Sequence, residues 1–245
     1  CTVEGATATI ITAGTCTITA DQAGDANYAA AEQTSQSFTI GKASQTITFI
    51  SEPPSNAVIG DTYEVGAKGG ASGNPVTFSI DEASAPVCTI SDDGLVSATG
   101  PGTCKILAAQ AGDQSYLAAE SNQSFAVGKI ETSIALQSST DAPKQGEPVT
   151  FTATVTQTHP VARLTLRTLA APVSGPSSGT VSFFDGAATL CSDVPLSDGQ
   201  AVCATSFRSA GQRNIVAVYS GDNTMASARS LAIVSTVDNT VAETQ

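Results

Sequence analysis

Six cysteines are the residues of this chain most capable of covalent chemistry, and they fall in three local pairs: Cys1 with Cys16, Cys88 with Cys104, and Cys191 with Cys203. None has the Cys-x-x-Cys spacing of a zinc or thioredoxin-like site. An even number, one pair to each repeat described below, reads as three disulfides formed in an oxidising compartment. Buried free thiols are the alternative. Each bridge would close a loop of about 15 residues, worth about 3 kcal/mol in the chain-entropy model. His159 is the sole histidine, without a partner for a metal site or a Ser-His-Asp triad, and reads as a loop residue. Lys42, Lys68, Lys105, Lys129 and Lys144 mostly sit at strand ends or exposed alternation positions. That placement does not suit a buried lysine–asparagine isopeptide bond. No motif brings a nucleophile, a base and an orienting group together, so no catalytic residue and no enzyme is expected.

The carboxylates that recur are those of Gly24-Asp25, Gly112-Asp113 and Gly221-Asp222. Calcium is the one cofactor they could serve, but it needs six to eight oxygens, usually from several carboxylates. Asp21, near Asp25, is replaced by Ala109 and Val218 in the other two copies, so no acidic cluster recurs and no metal is expected. The reading is instead a tight turn in which Gly takes a positive φ and Asp bonds its own backbone. Tyr28 and Tyr116, which follow two of these turns, are expected to pack over the end of a β-sandwich with their hydroxyls on backbone, as in a tyrosine corner. Aromatics are too few for a glycan-stacking platform.

These turns belong to a repeat. CTITADQAGDANYAAAEQTSQSFTIGK, from Cys16 to Lys42, aligns with CKILAAQAGDQSYLAAESNQSFAVGK, from Cys104 to Lys129. A weaker third copy, VAVYSGDNTMASARSLAIV, carries Met225 in the tyrosine position. Recurrence at about 90–110 residues suits one β-sandwich domain of about 100 residues. Within the copies, short alternating segments are separated by turn residues. QTITFIS (45–51), TYEVGAK (62–68), PVTFSI (75–80), VCTIS (87–91), GLVSA (94–98), GTCKILAAQ (102–110) and QSFAVGK (123–129) form one set. TSIALQS, EPVTFTATV, GTVSFF, ATLCS, GQAVCATSF and RNIVAVYS form the next. Asp93-Gly94 reads as a two-residue hairpin turn, and Asp185-Gly186 and Asp198-Gly199 sit in turns as well. The fold class is all-β, sandwiches in tandem. The boundaries expected are 1–42 for the C-terminal half of one repeat, 43–129 and 130–237 for two whole domains, and 238–245 for a polar tail or linker. Residues 1–42 correspond to only the last strands of a sandwich, so either residues upstream of Cys1 or strands of a neighbouring chain are expected to complete it.

Charged residues are 13% of the chain, yet its net charge is −12. Thr, Ser, Asn and Gln supply the polar surface instead, as suits an exported protein. Ten basic residues, scattered, cannot make the cationic footprint of a nucleic-acid or anionic-membrane binder, and no apolar run approaches the ~20 residues of a membrane span.

The segments GTVSFFDGAATL and RNIVAVYSGDNTMASA carry Gly179, Val181, Phe183, Asp185 and Gly186, then Ala217, Tyr219, Gly221 and Asp222. In these residues the chain resembles the bacterial Ig-like domain repeats of large secreted adhesins and surface proteins, and the two earlier repeats are similar to a related group. The resemblance implies tandem immunoglobulin-like sandwiches at the cell surface, acting as spacers or fibre subunits whose partners are neighbouring repeats or copies of the chain. A glycan- or receptor-binding module, or accessory domains of a secreted glycoside hydrolase, are the alternatives. One irregularity favours binding. Residues 158–178 are an insertion between two strands of the last repeat, and Arg163, Leu164, Leu166, Arg167 and Leu169 within it form an apolar-basic arm suited to a partner. An edge hairpin packed on its own domain is the equal alternative for it.

Overall fold

Alternation at a period of two puts every second side chain on one face of a strand. In the computed structural model, which describes residues 1–158 and 178–241, this pattern yields an almost wholly β chain; a 3₁₀ turn at Glu82–Ser84 is the one helical element among the described residues. The chain divides into two compact units: one holds Cys1–Ser55, Tyr63–Val96 and Thr103–Phe125, the other Asn56–Thr62, Ser97–Gly102 and the residues from Ala126 onward. Within the second of these units, residues 56–62 are tied locally to residues 97–102 and to the strand end at 127–128. Ala57 and Val58 pair in parallel with Val127 and Gly128. Ala98 accepts from the Gly60 amide and donates to the Asp61 carbonyl, each at 2.9 Å.

In the later unit the strand Pro148–Gln157 buries Val149, Phe151, Ala153 and Val155 and turns the intervening residues outward. It lies between Thr132–Ser138 and Gln200–Ser206, antiparallel to both. A second sheet runs in the order Lys144–Gln145, Ile233–Val241, Gly211–Tyr219, Thr180–Asp185, Ala188–Pro195, with Ala228–Arg229 also on Gly211–Tyr219. It contributes Val181, Phe183, Ile215, Ala217, Tyr219 and Val237 to the same buried cluster as Val149, Phe151 and Val155. Two half-buried, mostly antiparallel sheets sharing one core are a β-sandwich. The strand Ile233–Val241 takes in Asp238, whose amide donates to the Pro143 carbonyl at 2.9 Å. Polar residues read in the sequence as a tail from 238 therefore continue a strand, because its edge finds Lys144–Gln145 to pair with.

The earlier unit opens with two hairpins, Thr2–Glu4 on Thr7–Thr9 and Gly14–Ala20 on Thr34–Ile40. Its central strand Gly102–Gln110 buries Cys104, Ile106, Ala108 and Gln110 and pairs with Val76–Ile80. Ala108 packs with Ile47 and Ala119 against Phe49, Ala67, Val76 and Phe78. Buried Gln110 is satisfied, donating to the Asn74 carbonyl at 2.7 Å and accepting the Gly70 amide at 2.6 Å. Two expected strands shrink. QTITFIS is strand only at Thr48–Phe49, and TYEVGAK splits into Thr62–Glu64 and Ala67–Lys68. The break falls where the Gly66 amide turns to the Ser51 hydroxyl at 2.9 Å and the Val65 amide to the Gly94 carbonyl at 3.0 Å. The Asp93-Gly94 turn is also longer than two residues. Only Gly94 takes a positive φ, +85°, and the Ser91 amide closes the loop on the Leu95 carbonyl. Asp198-Gly199, with φ +50° and +77°, has the doubly positive backbone of a type I′ turn.

Candidate functional site: the Gly-Asp joints

The three Gly-Asp loops share one geometry, dictated by a short carboxylate at the mouth of a turn. Asp25 Oδ1 accepts the amides of Asn27 at 2.8 Å and Tyr28 at 3.0 Å. Asp113 Oδ1 accepts those of Ser115 and Tyr116, both at 2.7 Å. Asp222 Oδ1 accepts those of Thr224 at 2.7 Å and Met225 at 2.6 Å. In each loop the Asp amide closes the turn on the carbonyl three residues on, Tyr28, Tyr116 or Met225, at 2.9–3.1 Å. The glycines are required by crowding more than by backbone sign. Gly221 has φ +72°, but Gly24 and Gly112 lie outside the left-handed region, contrary to the expectation that all three would enter it. A Cβ on Gly24 would stand 2.2 Å from the Tyr28 carbonyl oxygen, one on Gly112 2.4 Å from that of Tyr116, and one on Gly221 2.8 Å from that of Met225.

Two of the loops are gripped by the chain that enters their own domain. The Lys42 ammonium donates to the Asp113 carbonyl at 2.6 Å, the Ala43 amide to the Ser115 carbonyl at 2.8 Å, and the Leu117 amide returns to the Ala43 carbonyl at 2.8 Å. The Lys129 ammonium donates to the Asp222 carbonyl at 2.5 Å, the Ile130 amide to the Thr224 carbonyl at 2.8 Å, and the Ala226 amide to the Ile130 carbonyl at 2.9 Å. Ala43 and Ile130 thereby form matching parallel bridges with Tyr116 and Met225. In the sequence these lysines look like strand ends, and the repeated Gly-Lys at 41–42 and 128–129 is the signal of the grip. The aromatic expectation also changes. Tyr28 is 76% exposed among the described residues. The hydroxyl-to-backbone bond is made instead by Tyr219, to the Ser178 carbonyl at 2.8 Å.

Asp222 has the most distinctive electrostatics. Burial raises its pKa, but the Ser178 hydroxyl and the Met225 and Thr224 donors outweigh burial and hold it at about 2, below the ordinary 3.8. Burial, and the Asp222 charge after it, raises the pKa of Tyr219. A carboxyl depressed in the folded state contributes stability that is whole above its unfolded value and is lost as pH falls through the folded one. Acidification from about pH 5 to about pH 2 is therefore expected to weaken the later unit by about 1 kcal/mol, after allowance for solvent screening. Asp222→Asn should flatten this acid limb in urea midpoints measured across the range; an unchanged limb would count against the assignment.

The cysteines pair as Cys1–Cys16, Cys88–Cys104 and Cys191–Cys203. The staples are not equivalent. Cys16 and Cys104 lie on the strand that runs into the Gly-Asp loop, whereas Cys203 lies one strand earlier, on Gln200–Ser206, and ties that sheet to Ala188–Pro195 of the other. Asp185 Oδ1 accepts the Asn214 amide at 3.1 Å, and its Oδ2 pairs with Arg213 at 3.3 Å, so this motif aspartate also serves the backbone. Among the described residues no three His, Cys, Asp or Glu side chains are placed to hold a metal ion, and no helix is long and apolar enough to cross a membrane. His159 and the arm residues Arg163, Leu164, Leu166, Arg167 and Leu169 lie outside the described residues.

The sandwich of the later unit can be set beside known families. Residues 136–238 match the model of the bacterial Ig-like domain, group 3. This part of the chain is similar to bacterial Ig-like domains. Its Gly-Asp loop, Tyr219 corner and Asp185-Gly186 turn all fall inside the matched residues. Among solved structures, FdeC, an adhesin of Escherichia coli, is 14% identical over 84% of this chain and 69% of its own, with a TM-score of 0.33. The fibronectin(III)-like modules of Clostridium thermocellum CbhA are 15% identical over 79% of this chain and 93% of theirs, with a TM-score of 0.33. The adhesin InvE of Yersinia pseudotuberculosis is 13% identical over 78% and 58%, with a TM-score of 0.32. No curated protein matches the chain.

Proposed function

We propose that this chain is a non-catalytic, disulfide-stapled spacer of an extracellular bacterial surface protein or surface fibre. The grip of Lys42 on the Asp113 loop, repeated by Lys129 on the Asp222 loop, carries this reading. A cation fixed on a backbone carbonyl, with a parallel bridge beside it, performs no reaction. It holds the entry strand of a domain against that domain's own closing loop, which is what a repeat under tension needs. The three disulfides favour an oxidising compartment.

The test is mechanical. A tethered chain is expected to unfold in discrete force steps. Reduction should release the 16-residue Cys88–Cys104 loop and lengthen the unfolded contour by about 50 Å. Lys129→Met should lower the force at which the later unit opens. A chain that yields without steps, or a Lys129→Met chain of unchanged strength, would overturn the spacer reading.

A further inference from the structure

The strand Val76–Ile80 pairs on one side with Gly102–Gln110 and, among the described residues, with no strand on the other. Its counterpart in the later unit is Thr180–Asp185, for each lies antiparallel to the strand that runs into a Gly-Asp loop. The registers match: Val76 stands opposite Gln110 and Phe78 opposite Ala108, as Val181 stands opposite Tyr219 and Phe183 opposite Ala217. The cysteine-bearing strand that follows differs. In the later unit Ala188–Pro195 covers the other side of Thr180–Asp185, and Val181 and Phe183 are completely buried. In the earlier unit Cys88–Ile90 pairs instead with Leu95–Ala98, in a separate sheet. Val76, Phe78 and Ile80 stay half-buried. A groove opens between them and Ile90, with Asp92 the one charged residue among its described lining. The strands of this repeat, from Thr48–Phe49 to Ala119–Gly128, are all described, so the switch of sheet bares the edge.

We propose that this groove takes one extended strand from a second copy of the chain, supplied by its residues 161–169. Main-chain hydrogen bonds along a bare edge, with apolar side chains seated beside it, are the chemistry of strand addition. Residues 161–169 read VARLTLRTL and hold two of the chain's ten basic residues. In an extended strand, alternation sends Leu164 and Leu166 to one face and Arg163, Thr165 and Arg167 to the other. The leucines suit Phe78, Ile80 and Ile90, and the arginines suit the exposed carboxylates of Asp92 and of Glu82, just beyond Ile80. Length also allows it. Residues 159–177 join the strand Pro148–Gln157 to Thr180–Asp185, where about 2–6 residues are the usual connection. Half of that segment, extended, reaches about 30 Å.

Sedimentation velocity of the full chain tests this. A strand of one copy in the groove of the next is a heterologous contact that does not close on itself, so oligomers are expected to lengthen with concentration. Leu164→Asp with Leu166→Asp removes the strand, and Ile90→Asp blocks the groove; each variant alone should be monomeric. Mixed in equal amounts they should form a heterodimer and nothing longer, one offering only a groove and the other only a strand. The synthetic peptide VARLTLRTL, titrated into the isotope-labelled double-leucine variant, should shift the amides of Val76–Ile80 saturably. Asp92→Arg, at an exposed site, should weaken the peptide about tenfold with the fold intact. A wild-type chain that stays monomeric, peptide shifts away from this edge, or an affinity unchanged by Asp92→Arg would each overturn the docking. The contact owes nothing to the lysine grip, so its failure would leave the expected unfolding forces as they are.

Discussion

Phe151→Ala is expected to remove about 3–5 kcal/mol from the stability of the later unit, the range for deleting a buried aromatic from a packed core. Phe151 is 0% exposed at the centre of the strand Pro148–Gln157. It stands opposite Cys203 in register, 6.3 Å from the Phe207 ring in an edge-on contact, and in one cluster with Val181, Phe183 and Tyr219. Both sheets of the sandwich close on it, so neighbours cannot relax into the void without moving a disulfide-bound strand. The expected consequence is a calorimetric midpoint lower by about 15 °C or more. Val202→Ala, one residue from Cys203 on the outward face and 52% exposed in the wild type, should cost no more than about 0.5 kcal/mol. Equal effects at the two positions would deny the in-and-out alternation on which the sandwich is built.

That alternation is the part of the fold most legible in the amino-acid sequence. Pro148–Gln157 and Gly102–Gln110 place their apolar residues inward as a period of two requires. QTITFIS has the same pattern but remains strand over two residues, because its neighbour is interrupted where Ser51 and Gly94 capture the amides of Gly66 and Val65. Side-chain competition for backbone amides leaves no mark on hydropathy. The candidate site was half legible. Repetition exposed the Gly-Asp turns, but the lysine grip joins residues far apart in the chain, Lys42 with Asp113 and Lys129 with Asp222, and only the recurrence of Gly-Lys hinted at it. The identity of Tyr28 with Tyr116 says nothing about which strand lies over either ring. A further shared mark is that Gly14, Gly102 and Gly211 open the strand leading to each loop, with φ of +131°, +142° and +129°, a backbone region that side chains rarely tolerate.

Replacing Cys88 and Cys104 together by Ala is expected to cost about 3 kcal/mol, the loop-closure term for about 16 residues. Its effect on the earlier unit should exceed that of the equivalent change at Cys191 and Cys203 on the later one. The later unit buries Phe151, Phe183 and Tyr219 completely in one cluster, whereas the largest side chains the earlier unit buries completely are the smaller Ile106 and Val96. A sandwich with less apolar burial has less reserve against a more disordered unfolded state. Both sulfurs of the Cys88–Cys104 bridge belong to buried residues, so a reductant reaches them only after local opening. Reduction should therefore be slow in buffer and accelerate steeply in sub-denaturing urea. Calorimetry of the double variant should place the first transition well below the second, and reduction of the wild type after unfolding should reproduce that order. Two transitions that fall equally would mean that the bridges, not the unequal cores, set the stability of both units.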